Sequence, residues 1–345
     1  SEQYSTDRYE PDWGRAINFD GGECEAVREL FIANVEYWIR EFHLDGLRLD
    51  AIQSIHDSSH PHVVTLIAES ARRAAGSRRI IIVGENEPQR GELLAPEGSI
   101  DALWNDDFHH SARVALTGSN DGYFHDYRGR AQEFVSMARR GFLFQGQHYY
   151  WQEDSRGSPA LHQPAWRFIA YLQNPDQVAN TFYGQRLPEL TSPARLRAMT
   201  AFFLLAPHTP MLFMGQEFAA CAPFAFFADH GRQLAVEVRR GRGDFMKQSV
   251  HYATPEAQAR LLDPTAVQTF ERSKLDFADR ERHARTLALH QDLLALRRHD
   301  AVISRQDRNC IDGAVLSEHG IPATVRLTRG RDIDGACGQL AVAPS

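Results

Sequence analysis

The chain reads as an α/β protein built on a parallel sheet. Three observations lead there. Apolar strand segments alternate with amphipathic helical segments along most of the 345 residues, the pattern of βαβ units. RIIIVGEN (79–86) and PMLFMGQE (210–217) are almost unbroken apolar runs, as expected of strands covered on both faces. Five strand segments in succession end in polar or charged residues.

The elements follow in chain order. Residues 1–22 read as a loop rich in aromatic and polar groups. Residues 24–43 predict a helix, because Val27, Leu30, Phe31, Val35, Trp38, Ile39 and Phe42 recur at i, i+3, i+4 and i+7. LDGLRLD, within 44–50, is the first strand. A helix over 61–75 and the strand 79–85 come next. IDALW (100–104) is a shorter strand, and helical residues lie near 130–140. WRFIAYLQN (166–174) is aromatic and β-branched and reads as a strand. Ser192-Pro193 opens a helix that runs to about Pro207. A strand over 210–215 follows, and the Arg-rich VRRGRGD (238–244) reads as a loop or solvated face. RHARTLALHQDLLALRR (282–298) is a last amphipathic helix. No internal repeat or low-complexity segment interrupts the alternation, and periodicity fades from about Ser304.

Bulk properties exclude several function classes. A formal net charge of −7 argues against a nucleic-acid binder, which carries a basic face. No apolar run approaches the ~20 residues of a membrane helix, and no signal-peptide pattern is present. Cys24, Cys221, Cys310 and Cys337 are scattered without a CxxC pair, so neither a zinc site nor a disulfide framework is expected. A reducing cytoplasm is the simplest setting. Both ends read as cut from something longer.

The polar residues at the strand ends carry the functional signal. They are Arg48 and Asp50; Gly84, Glu85 and Asn86; Trp104, Asn105, Asp106 and Asp107; Gln173, Asn174 and Asp176; Gln216 and Glu217. Active sites of α/β enzymes lie outside the carboxyl ends of the strands. Such residues also cap following helices, but five acid-bearing ends in succession favour a site. Arg48 and Asp50 lie two apart on a strand and point the same way. An arginine beside an aspartate holds it ionised, which suits a nucleophile; a structural ion pair is the bland alternative. Glu85 follows Ile80–Gly84, and a carboxyl at an apolar rim can act as a general acid. Two carboxyls with such opposed environments are the signature of glycoside hydrolysis. Asp176 could bind sugar hydroxyls. Trp104, Phe108, Tyr149, Tyr150 and Trp151 could stack on sugars or fill a core. His109 and His110 lack metal-ligand spacing, so hydrogen bonding is their expected role.

At these residues a resemblance enters. GLRLDA, VGEN and LQNPDQ resemble the nucleophile, general-acid and third-carboxylate motifs of the α-amylase superfamily. DALWNDDFHH, NFDGG, PMLFMGQEFAA and TFERSKLDF resemble the malto-oligosyltrehalose trehalohydrolases within it, over about residues 4–302. The resemblance implies a (β/α)8 TIM-barrel-type fold, here as barrel units four to eight within residues 1–300, with 301–345 beginning a C-terminal β-domain. It implies retaining hydrolysis of the α-1,4 bond next to the terminal trehalose of maltooligosyltrehalose. Asp50, Glu85 and Asp176 would be catalytic. Arg48, Trp104, Asn105, Asp106, Asp107, His109, His110, Asn174 and Gln177 would bind substrate. No metal or cofactor is implied, and a maltooligosyltrehalose synthase would be a functional neighbour. Retention implies carboxyls of Asp50 and Glu85 roughly 5–5.5 Å apart. Two departures stand out: Pro175 occupies the position of the family's histidine, and Thr181 follows Asn180 where an arginine is common.

The competing readings are a branching enzyme or amylase of the same superfamily, and an inactive glycan-binding remnant. A doubly wound protein complete with five strands would need a glycine-rich loop after its first strand, and DAIQSIHD (50–57) has none.

Overall fold

Side chains alternate along a strand, and in this chain that alternation separates two chemistries. The structure is a computed structural model that describes residues 3–10, 14–94 and 100–313. Two short strands, β1 (Ser5–Thr6) and β2 (Ala16–Ile17), pair antiparallel at the start. Then α1 (Glu25–Glu41), β3 (Gly46–Leu49), α2 (Val63–Ala75), β4 (Ile81–Gly84), β5 (Ala102–Trp104), α3 (Asp106–Thr117) and α4 (Ala131–Arg140) follow. A hairpin of β6 (Gln145–Tyr149) and β7 (Asp154–Gly157) precedes β8 (Phe168–Tyr171). The rest comprises α5 (Pro175–Ala179), α6 (Leu187–Leu190), α7 (Pro193–Leu205), β9 (Thr209–Met211) and α8 (Arg232–Met246). Last come α9 (Pro255–Gln258), α10 (Val267–Arg272), α11 (Asp279–Arg282) and α12 (Ala284–His299). None of the described helices is long and apolar enough to cross a membrane.

The five expected strands form one parallel sheet in the order β3-β4-β5-β8-β9. These are consecutive strand–helix units of a (β/α)8 barrel. Each strand is shorter than its apolar run, because pairing ends where the chain bends into a loop. β3 begins at Gly46 rather than at Leu44 for a steric reason. A Cβ there would sit 2.1 Å from the carbonyl oxygen of Ile81, so only glycine permits this approach of strands.

The outward row of strand residues meets the helices. Leu47, Leu49, Ile82, Leu103 and Phe168 pack with Val35, Ile39, Val63, Val64 and Ile67 of α1 and α2. Ala170 and Leu172 pack with Phe108, Phe203, Leu204 and Leu293. Burial of each such large side chain contributes about 1.5–3 kcal/mol. The inward row is different: Val83, Ala102, Trp104, Ile169 and Tyr171 form a separate small cluster.

Three expectations need correction. In α1 the row Val27, Val35 and Ile39 is buried, whereas Leu30, Trp38 and Phe42 are exposed. The apolar stripe is wider than the α1–α2 contact. Of the two readings of VRRGRGD the solvated face holds and the loop does not: it is the body of α8, with Arg239 and Arg240 exposed, though Arg242 turns inward to donate to Asn180 Oδ1 at 2.7 Å. The hairpin β6–β7 falls outside the expected elements; its only local signal is HYYWQEDSRG, where Glu153 takes a left-handed turn conformation. Residues 301–313 fold as short 3-10 turns, with Arg308 reaching the loop carbonyl of Leu161. The expected C-terminal β-domain otherwise lies outside the described residues.

Asp107 anchors the hairpin. Its Oδ1 accepts from the Tyr127 hydroxyl at 2.7 Å and Arg156 Nε at 3.0 Å. Its Oδ2 accepts from the amides of Leu143 and Phe144 at 2.9 and 3.0 Å. Arg156 also pairs with Glu87 at 2.5 Å, so loops after β4, β5 and α4 and the strand β7 are tied together. Both Asp107 and Arg156 are buried. Removing one partner of a buried pair strands the other charge, which costs about 3–5 kcal/mol. Asp107→Ala should therefore destabilise the chain by about 3–5 kcal/mol in urea unfolding; a loss near zero would show that the network carries no stability.

Candidate active site

Strand register brings the first two carboxyls together. Arg48 pairs with Val83 and Leu49 with Gly84. The next residues along the two parallel strands are Asp50 and Glu85. The chain then turns sharply: Ala51 adopts a left-handed conformation, with φ of 42°. Its amide donates to Glu85 Oε2 at 3.0 Å, and the Ile52 amide donates to the Glu85 carbonyl at 3.0 Å. The turn and the glutamate hold each other in place.

Arg48 is the centre of the site. One guanidinium nitrogen pairs with Asp50, and the other pairs with Glu85 at 2.7 Å. Its flat face lies 4.2 Å from the Trp104 ring centroid. Trp104 in turn packs on Tyr171 with centroids 5.4 Å apart. The stack fixes the arginine, and the arginine fixes both acids. Asp50 projects most, with 76% of its side chain exposed, against 24% for Glu85.

The two acids differ electrostatically. Burial pushes the Glu85 carboxyl up, opposed by the Ala51 amide and Arg48 and reinforced by Asp50. Burial also raises Asp176, again against the pull of Arg48. Asp176 sits in the first turn of α5, where Asn174 caps the helix by accepting from the Gln177 amide. Asp50 and Glu85 thus share one guanidinium at neighbouring strand ends.

Other expected site residues are placed elsewhere. Asn105 is buried, caps α3 through the Phe108 amide and donates to the Gly141 carbonyl. Asp107 is the scaffold anchor described above. His109 and His110 are buried with Nδ1 atoms 3.1 Å apart. Burial drives His109 down to about 3 and His110 well down too, so both are neutral, and His109 stacks on Tyr171. Asn105, Asp107, His109 and His110, expected to bind substrate, are thus all buried with partners inside the protein. Trp104 is also buried and stacks on Arg48. Gln177 accepts from the Tyr123 hydroxyl at 2.7 Å. On the hairpin Tyr149 is buried, whereas Tyr150 and Trp151 are exposed at its tip, where their amides bind the Asp126 carboxylate. Among the conspicuous motifs, NFDGG is a brace: Asp20 accepts from Tyr9 and from the Ser58 amide and hydroxyl.

Asp106 lies behind the floor of the site, buried, and accepts from the Tyr171 hydroxyl. Burial raises its carboxyl from 3.8 to about 7. Between these values the folded chain keeps a proton that the unfolded chain releases, so stability falls as pH rises from 3.8 to about 7. Asp106→Asn keeps the acceptor and removes the charge. It should stabilise the chain above about pH 7 by a few kcal/mol, since each pH unit between the two values contributes about 1.4 kcal/mol. The two curves should converge below the unfolded value of 3.8. Parallel stability curves across this range, measured by urea unfolding, would contradict the buried-acid assignment.

Known proteins resemble the chain in sequence and in fold. No family model matches the chain. A malto-oligosyltrehalose trehalohydrolase from Deinococcus radiodurans is 37% identical over 323 residues, 91% of this chain and 52% of that protein. One from Arthrobacter ramosus is 36% identical over 333 residues, covering 92% of this chain and 57% of that protein. Among solved structures, a Salmonella typhimurium protein named provisionally as an α-amylase superposes with a TM-score of 0.81 at 33% identity. The match covers 91% of this chain and 53% of that one. The chain thus spans about half the length of the curated relatives it matches. With the parallel barrel strands and the carboxyl-bearing strand ends in place, the chain belongs to the malto-oligosyltrehalose trehalohydrolase family of the α-amylase superfamily.

Proposed function

We propose that Asp50, Glu85 and Asp176 serve in retaining hydrolysis of the α-1,4 bond next to the terminal trehalose unit of maltooligosyltrehalose. The observation that carries this reading is Arg48, which holds an exposed and a sheltered carboxyl at neighbouring strand ends. Asp50 attacks the anomeric carbon, while Glu85 protonates the leaving glycosidic oxygen. Glu85 can hold that proton because burial raises its carboxyl. It then takes a proton from water as the glycosyl ester is broken. The substrate's scissile bond would lie between the two acids, with Arg48 holding both from one side. Asp176 binds hydroxyls of the sugar ring being cleaved, and Gln177 lies beside it.

The substrate is an α-glucan already carrying a terminal trehalose. An enzyme that isomerises the terminal α-1,4 linkage to α,α-1,1 must supply it, which makes a maltooligosyltrehalose synthase the functional neighbour. We assign the reaction to the cytoplasm. Among the described residues Cys24 and Cys221 are free thiols, the state a reducing compartment maintains.

Two measurements test this reading. The matched segment of the Deinococcus radiodurans relative is replaced by this chain, and the chimera is incubated with maltotriosyltrehalose. Trehalose should appear. Asp50→Asn should lower the rate on the order of 10⁴-fold or more, the scale for loss of a nucleophile, with an unchanged circular dichroism spectrum. Altered branch content without free trehalose, or near-normal turnover in the variant, overturns the assignment. The second concerns Pro175, which is exposed at the first position of α5 beside Asp176. Pro175→His in the same chimera should raise kcat, because one transition-state donor is worth about 10²–10³ in rate. An unchanged kcat would show that the site works without this donor.

A further inference from the structure

A second cluster of chemistry-bearing groups lies beyond the end of β9. Cys221 lies ten residues beyond the end of β9, whereas Asp279 opens α11 and His283 closes it. One ligand atom from each, Sγ, a carboxylate oxygen and an imidazole nitrogen, lies within 4.8 Å of the other two. Sequence spacing could not show this, because 58 residues separate Cys221 from Asp279.

The cluster is built rather than incidental. The Cys221 amide donates to Asp279 Oδ2 at 2.8 Å, which fixes the cysteine over the carboxylate. Asp279 is buried, and its other oxygen pairs with Arg282 at 2.5 Å. His283 Nδ1 lies 3.1 Å from the Phe218 carbonyl. A carbonyl only accepts, so Nδ1 carries the proton and Nε2 is left with a free lone pair. Nε2 lies 4.0 Å from Cys221 Sγ. Metal-binding histidines are oriented in this way, with the second nitrogen bonded to a backbone carbonyl. In tetrahedral zinc, bond lengths of about 2.3 Å to sulfur and 2.0–2.1 Å to nitrogen set these atoms roughly 3.6 Å apart. A contraction of a few tenths of an ångström brings this pair to that spacing, and the Asp279 oxygen, within 4.8 Å of both atoms, has further to close.

A second observation points into the same place. Cys221 and His283 border a cavity of about 780 Å³ that is also lined by Leu187, Leu289, Gln216 and His290. Gln216 Nε2 and His290 Nε2 are buried there with no hydrogen-bond partner among the described residues. Glu189, Arg197 and Arg285 stand on the same rim.

We propose that Cys221, Asp279 and His283 form a binding site for a zinc-class divalent cation, with its fourth position open to this cavity. Thiolate, imidazole and carboxylate together select zinc or cobalt over magnesium or calcium. On binding, the Cys221 S–H bond is replaced by a sulfur–metal bond, and the proton passes to solvent. The bound ion ties the segment after β9 to the start of α12. Neither Asp50, Glu85 nor Asp176 takes part.

The test is a cobalt(II) titration of the whole chain. One equivalent should bind with a thiolate-to-cobalt charge-transfer band and tetrahedral d–d bands, and zinc should displace it. Cys221→Ser should abolish the charge-transfer band, and His283→Gln should weaken binding at least tenfold. Cys24→Ser, Cys310→Ser and Cys337→Ser should leave the band in place. Absence of the band, or its survival in Cys221→Ser, overturns the proposal. Peptide mapping of the unaltered chain after alkylation avoids dependence on the variants' folding. Zinc should protect Cys221 and not Cys24; equal labelling of Cys221 with and without zinc would also overturn it.

Discussion

The parallel register of β3 against β4 is the constraint on which the site depends. With Leu49 opposite Gly84, Asp50 and Glu85 become neighbours without any further device. A slip of one residue would turn Arg48 and Asp50 toward the helices and bury unpaired charge. The register is held from both sides. Outward, Leu47, Leu49 and Ile82 are locked into the core with α1 and α2. Inward, Arg48 is clamped between Trp104 and the two acids. Packing energy on one face thus positions charge on the other.

The acids beyond β5 show how one strand end divides its labour. Asp106 and Asp107 are adjacent, and both are buried. Asp107 meets four protein donors, including a guanidinium. Asp106 meets one neutral hydroxyl, so burial wins and raises its carboxyl. Number and charge of the donors decide, not residue type. Asp107 is thereby free to organise the loops around the site, while Glu85 keeps a proton close at hand. The cluster of Cys221, Asp279 and His283 is assembled instead from the loop after β9 and from α11 with its end.

Much of the fold was legible in the sequence. The apolar runs with polar ends placed all five barrel strands, and the 3.6-residue pattern placed α1 and α12, because burial on a regular backbone leaves a regular imprint. Ser192-Pro193 marked the start of α7 through local cap chemistry alone. Arg48, Asp50 and Glu85 were legible as a group for the same reason: charge inside an apolar run is costly unless it is paired or used. The hairpin β6–β7 left only a weak imprint, since its anchor, Arg156 on Asp107, spans 49 residues.

What only the tertiary structure decided is which polar side chains face the cleft. Asn105 and Asn174 stand at strand ends like the acids, yet both are occupied as helix caps. His109 and His110 lie in the most specific motif of the chain, yet desolvation keeps them neutral in the interior. The sequence by itself determined the residues available at each strand end and the face on which each falls. It could not determine burial or partners, because these depend on contacts between segments far apart in the chain. Cys221 and His283 make the point most simply: 62 residues apart in sequence, they meet only when the loop after β9 closes on α12.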